Sequence, residues 1–172
     1  MKNPFKKTYT ENELEQFDFL RNFELFKNLT EKELMIFLPH MHYRSYVKDE
    51  VVFFRNDPSH ALYLIKKGIV NMTLDVNEKF EDLGEVRMHE VLGENCLIEG
   101  TKRPMNAVVT SETAFFYVIP RDNIMRIFDS RPEVKMKMME SFAKTNEYYL
   151  KQVFKCYRSS FGLFSLSEIF KN

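Results

Sequence analysis

Leu92-Gly93-Glu94-Asn95-Cys96-Leu97, followed after a short gap by Arg103-Pro104-Met105-Asn106-Ala107-Val108-Val109, is the stretch on which the reading of this chain turns. Gly93 has no Cβ, so a backbone or ligand can approach it closely. Glu94 is a strong hydrogen-bond acceptor. Asn95, Cys96 and Leu97 are expected to begin a short helix, whose unpaired N–H groups suit an anion. Cys96 is small and keeps that approach open. Pro104 presets the loop, the Asn106 amide can donate, and Ala107 to Thr110 reads as a strand. Each residue also has a plainer role. Gly93 suits an ordinary turn, Glu94 a solvated or capping carboxylate, Cys96 a buried small side chain, and Arg103 a surface charge on a loop. Their occurrence together and in order favours a pocket for Gly93 and Glu94, and a surface position for Arg103.

Short strand signals surround this stretch. Val51 to Phe54 is a buried strand run, and Asn56-Asp57-Pro58-Ser59 is turn chemistry. Ala61 to Ile65 is a strand turned by Lys66-Lys67-Gly68, and Ile69 to Val76 mostly alternates. Further strands are expected near Leu83–Val86 and Thr113–Ile119. Strands at this spacing point to an antiparallel sandwich or barrel. Four of the five glycines lie between 68 and 100, so the special backbone positions cluster there.

Helical patterns flank the strands. Leu14, Phe17, Leu20, Phe23 and Phe26 recur every three residues, followed by Leu29, and residues 11–29 read as one helix. Thr30-Glu31-Lys32-Glu33 is a capping-box pattern opening a second short helix through Leu38, stopped by Pro39. After Pro120-Arg121-Asp122 comes a short amphipathic turn, and Arg131-Pro132 starts a longer helix. Within it Met139, Phe142, Asn146, Tyr149, Val153 and Cys156 form a heptad seam with one polar position, Asn146. That seam fits either packing on the chain's own strands or a parallel homodimer in which Asn146 fixes the register. Ser159-Ser160 is expected to break the helix.

The 172 residues are 44% hydrophobic and 15% aromatic, enough for a real core. Lys plus Arg and Asp plus Glu number 25 each, and this zero net charge argues against general polyanion binding. The balance conceals a division. Residues 11–33 carry seven acids against three bases, and residues 131–158 seven bases against three acids. No long apolar run suggests a membrane span, and residues 1–15 have no apolar signal core. Cys96 and Cys156 form no CxxC, so reduced thiols and a cytoplasmic location are expected. His40 and His42 lack a third metal ligand nearby, and no catalytic motif is present.

The order and letters of these segments resemble the cyclic nucleotide-binding domain family, in its Crp/Fnr-like form without the DNA-binding domain. Leu25-Phe26-Lys27-Asn28-Leu29-Thr30-Glu31-Lys32-Glu33-Leu34 is similar to the family's entry segment, and Val51 to Asp57 followed by Leu62-Tyr63-Leu64-Ile65 and Gly68 to its early strands and turns, with Asn56 where a Gly is usual. The opening stretch resembles the phosphate-binding cassette, and Val118-Ile119-Pro120-Arg121 the strand end that enters the closing helices. The resemblance implies that Gly93 approaches the sugar, Glu94 binds the 2′-hydroxyl, and the N–H groups of Asn95, Cys96 and Leu97 face the phosphate. It also implies an Arg at Met105. Methionine has no donor or charge, and losing a charge-assisted bond of about 1.5–3 kcal/mol weakens binding roughly ten- to hundredfold. Asn106 can still donate to the phosphate, and Arg103 and Lys102 lie close by.

The expected fold is therefore mainly β, a double-stranded β-helix (jelly-roll, cupin-like) barrel with N-terminal helices and a long C-terminal helix. Residues 1–29 would form a helical arm, 30–130 the β-roll, 131–158 the dimerisation helix (Met139, Phe142, Asn146, Tyr149, Val153) and 159–172 an aromatic tail. The expected function is a non-enzymatic sensor for cyclic AMP or another cyclic nucleotide, with no required cofactor. The alternative is a non-binding member acting as a homodimeric interaction module for an unknown protein partner. A cupin-type enzyme is disfavoured by the missing His and Glu cluster. Only 14 residues follow Arg158, too few for a helix-turn-helix, so direct DNA binding is not expected.

Overall fold

Among the described residues, eight strands build two sheets that share one apolar layer between them, and the first sheet carries a second apolar layer on its other face. The computed structural model describes residues 9–76 and 79–161. The strands are β1 (His42–Val47), β2 (Val51–Phe53), β3 (Ala61–Lys67), β4 (Val70–Val76), β5 (Lys79–Val86), β6 (Val91–Leu92), β7 (Asn106–Val109) and β8 (Thr113–Pro120). They form two four-stranded sheets, ordered β1-β8-β3-β6 and β2-β7-β4-β5, in which every pairing is antiparallel. The architecture is the jelly roll, but as two open sheets rather than a closed barrel. Phe53, Ile65, Val70, Ala107, Val109 and Phe116 fill the space between them. Gly68 turns β3 into β4 at φ +103°, and a Cβ there would lie 2.6 Å from Ala114 Cα.

The helices cover the other face of the first sheet. Leu62, Leu64 and Ile119 point away from the sandwich into a second core with Phe17, Phe26 and Phe37. The helices are α1 (Glu11–Arg21), α2 (Glu31–Leu34), α3 (Arg121–Ser130) and α4 (Pro132–Phe161). Thr10 and Glu13 form a reciprocal capping box at α1. At α2, Glu33 Oε2 accepts from Thr30 N at 2.7 Å and Thr30 Oγ1 at 2.9 Å.

Three helix boundaries differ from the sequence expectation, one of them at α2, which ends at Leu34 rather than Leu38, with Pro39 inside the 3-10 turn Leu38–His40. The helix expected over residues 11–29 ends at Arg21. Beyond it Phe23 N donates to Leu20 O, Phe26 N to Phe23 O and Leu29 N to Phe26 O, each at 3.0 Å. These are three-residue turns, so the spacing of three is their own period rather than an α-helical stripe. Phe23, Phe26 and Leu29 are buried all the same. At the other end Ser159 does not break α4, because its Oγ donates back to Cys156 O at 2.8 Å within a helix that reaches Phe161. The rest of the aromatic tail lies outside the described residues.

The acidic front and basic back of the chain meet directly. Lys137 Nζ on α4 lies 2.8 Å from both carboxylate oxygens of Glu33 on α2. Burial works against the Glu33 carboxylate, but the bonds from Lys137 and Thr30 outweigh it and hold its pKa below the ordinary value. His40 closes a 3-10 turn while His42 opens β1, so the two do not share a strand face. Among the described residues no group of three or more His, Cys, Asp or Glu is placed to hold a metal ion.

Candidate functional site

The stretch after β6 folds as a tight cassette held by its own side chains. Gly93 adopts φ +75°, the left-handed region that favours glycine, and caps a 3-10 helix at Glu94–Leu97. Cys96 N donates to Gly93 O and Ile98 N to Asn95 O, both at 3.0 Å. The Cys96 N–H is therefore already used, contrary to the expectation that all three amides stay free. Cys96 and Leu97 point into the helix-side core beside Ile124, Phe128, Val134 and Met138. Burial pushes the Cys96 thiol up to about 12.

Asn95 staples the loop. Its Nδ2 donates to Lys102 O at 2.7 Å, and its Oδ1 accepts from Ser59 Oγ at 2.8 Å and from Arg103 Nη1 at 3.2 Å. Thr101 Oγ1 donates to Asn95 O at 2.6 Å. The β2–β3 connection is zipped to the same loop, with Arg103 N donating to Asp57 O at 2.8 Å and Asn56 N to Arg103 O at 2.9 Å.

Arg103 is the largest departure from the sequence reading. Expected as a surface charge, it is 3% exposed. Its guanidinium donates to Gly93 O at 3.0 Å and Ala61 O at 2.6 Å, and lies 4.4 Å from the Phe53 ring centroid and 5.7 Å from that of Tyr63. Its Nε is buried without a partner. Its bonds go to two carbonyls and an amide and to no carboxylate, so the charge is spread over dipoles rather than neutralised. Burial lowers the guanidinium pKa, as it must for a cation out of water. Burial likewise raises the Glu94 carboxyl, opposed by its own backbone N–H and by the charge of Arg103.

The structure gathers Gly93, Glu94, Asn95, Cys96, Leu97 and Arg103 in one place. Met105 is half-buried just before β7. Asn106 lies elsewhere. Ala107 and Val109 face the sandwich, so Asn106 and Val108 face outward, where Asn106 Oδ1 accepts from Arg55 N at 2.8 Å. Its amide is thus turned away from the cassette. Sequence reasoning missed Phe53, Tyr63 and Ser59. Both rings stand in apolar strand runs, but nothing local marks them as partners of Arg103.

The α4 seam is divided. Met139 and Phe142 pack against the helix-side core. Asn146, Tyr149 and Val153 are exposed, Val153 by 61%.

Comparison with known proteins agrees with this geometry. A cyclic nucleotide-binding domain from Methylobacillus flagellatus superposes with a TM-score of 0.74 at 20% identity, covering 91% of this chain and 87% of that one. The sensor domain of the transcriptional regulator DNR from Pseudomonas aeruginosa gives 0.68 at 16% identity, covering 91% and 100%. The regulatory domain of Toxoplasma gondii PKA, solved with cAMP, gives 0.63 at 19% identity. That match covers 70% of this chain and 46% of the Toxoplasma chain, so the present chain spans less than half of its length. At these identities the superpositions establish the fold. The family model for the cyclic nucleotide-binding domain matches residues 43–131, more than half of the chain and all eight strands apart from the first residue of β1. The chain belongs to the cyclic nucleotide-binding domain family.

Proposed function

We propose that this domain is a regulatory sensor in which a cyclic nucleotide, cyclic AMP being the first candidate, docks at the Gly93–Arg103 cassette and moves the C-terminal helix. The observation that carries this reading is Arg103. A guanidinium 3% exposed, with Nε unpartnered and no carboxylate bonded to it, is a buried positive charge beside a left-handed glycine. A phosphate supplies the missing negative charge and accepts in a forked geometry. In this reading Arg103 provides the charge that Met105 lacks, and Glu94 accepts from a sugar hydroxyl. Cys96 and Leu97 share a core with α3 and the start of α4, so a shift of the cassette reaches both helices. The module works by binding rather than by chemistry. Its free cysteines are compatible with the reducing cytoplasm.

The exposed half of the α4 seam supports a parallel homodimer through Asn146, Tyr149 and Val153, a partner surface distinct from the cassette. One observation favours the alternative of a non-binding interaction module. Arg103 already bonds the cassette's own carbonyls, so the loop is held closed without ligand. Calorimetry with cyclic AMP, cyclic GMP and cyclic dinucleotides decides between them. Saturable binding, weakened at least tenfold by Glu94→Ala and by Arg103→Met, supports the sensor. Absence of binding by the wild type with gain in Met105→Arg identifies a disabled pocket, and absence in both leaves the interaction module. For the dimer, Asn146→Leu should change the sedimentation profile, and a monomeric profile for both proteins overturns it.

A further inference from the structure

A cavity lies on the outer face of the sheet β2-β7-β4-β5, lined by none of the cassette residues Gly93 to Arg103, with a volume of about 530 Å³. That is within the range of small-molecule sites. Its walls are two phenyl rings left in water, Phe54 at the end of β2 and Phe80 on β5, 58% and 75% exposed. These two strands are the edges of the sheet, and four strands span about 14 Å, wide enough to admit one bicyclic ring between the two side chains. The floor comes from the two central strands, with Val108 beside Asn71 across the β4–β7 pairing.

Two features define what would fit. Asn71 Oδ1 is buried and has no hydrogen-bond partner. Such an orphan costs stability and asks for an explanation. Rotation of the carboxamide about its broad terminal torsion turns either its donor or its acceptor toward the cavity. At one end Arg55 pairs with Asp75 at 3.3 Å, so among the described residues that line the cavity no charge is left unpaired. Aromatic walls, an amide with unused hydrogen-bonding capacity and a neutralised rim match a planar, uncharged heterocycle with a donor–acceptor edge, as a side-chain amide reads a purine.

We propose that this outer groove is a binding site for an uncharged purine base or nucleoside, held between Phe54 and Phe80 and oriented by Asn71. The experiment titrates adenosine and guanosine, which carry no phosphate for Arg103, into the full chain by saturation-transfer NMR and calorimetry. Saturable binding is expected. It should weaken about tenfold in Phe80→Ala, as loss of one stacking ring does, weaken likewise in Asn71→Leu, and persist in Arg103→Met. Cyclic AMP binding at the cassette should be unchanged in Phe80→Ala, which separates failure of this site from failure of the cassette. Absence of saturable binding to millimolar nucleoside, or binding lost only in Arg103→Met, overturns the proposal. A lowered Tm for Asn71→Leu with unchanged nucleoside affinity assigns the amide to stability alone and overturns it as well.

Discussion

Gly93→Ala tests the central geometry of the cassette. A Cβ at position 93 would overlap Arg103 Nη1, lie 2.7 Å from Cζ and 3.1 Å from Ala61 O. The backbone at φ +75° adds about 1–2 kcal/mol for any side chain in the left-handed region. Displacing the guanidinium breaks three bonds to a charged donor, each worth about 1.5–3 kcal/mol net. Rehydration of the cation in water offsets much of that, since a buried charge carries a desolvation penalty. The net cost is then about 3–5 kcal/mol, or a Tm lower by roughly 6–20 °C at 2–4 °C per kcal/mol for a chain of this size. Arg103→Met alone should cost about 2–4 kcal/mol by the same terms. The informative measurement is the double mutant by urea unfolding. With the guanidinium gone, only backbone strain remains at position 93, so the two costs should fall short of additivity by at least about 1 kcal/mol. Additive costs would refute the claim that Arg103 fills the space over Gly93.

Gly68→Ala should be severely destabilising, by more than about 3 kcal/mol, because the new Cβ meets Ala114 Cα at 2.6 Å and Thr113 O at 2.7 Å, both backbone atoms. Gly84→Ala, at φ +109° with nothing within 4 Å, should cost only the backbone strain of about 1–2 kcal/mol, and equal losses at the two sites in thermal melts would contradict this. Glu33→Gln should remove a pH-dependent share of stability. The folded-state pKa of Glu33 is depressed, so its contribution is complete above the unfolded value of about 4.3 and is lost as pH falls through the folded value. The wild-type advantage in chemical denaturation should therefore vanish toward acid, and an advantage that grows there would reverse the sign. With its thiol pushed up to about 12, Cys96 should resist alkylation at pH 8 in the native protein while exposed Cys156 reacts, as counted by mass spectrometry.

The legible parts of this chain were those decided locally. Alternation in Val70 to Val76, the turn at Gly68, and Thr30 with Glu33 each rest on residues within a few positions of one another, and the structure has a strand, a turn and a helix start there. The family resemblance rested on letters in order, which survive where contacts cannot be seen. The spacing of three in Leu20, Phe23, Phe26 and Leu29 misled because a three-residue turn and a narrow α-helical stripe bury the same letters. Arg103 misled for a different reason. Its partner Ala61 is 42 residues away, and the ring beneath it, Phe53, is 50 away. Nothing in Lys102-Arg103-Pro104 says that the middle side chain turns inward.

The division of α4 bears directly on how such a domain could signal. The helix has 30 residues, so it is about 45 Å long. Val134 and Met138 are buried in the same core as Cys96 and Leu97, while Val153 stands in solvent. Among the described residues the helix is thus gripped at its start, in the core it shares with the cassette, and exposed at Asn146, Tyr149 and Val153. From Met138 to Val153 is about 22 Å, so a tilt of about 10° at the gripped end carries Val153 about 4 Å. Knobs-into-holes packing does not survive such a displacement, so in the proposed sensor a small cassette movement would make or break a seam at Tyr149 and Val153. A ligand drives this only if it binds the two helix positions with different affinity. In the proposed sensor Arg103 would be the physical source of that difference. Its guanidinium spans Gly93 of the cassette and Ala61 of β3, so a phosphate that withdraws it removes a strut between cassette and sheet. A ligand that leaves those two bonds in place has no leverage on α4, however tightly it binds.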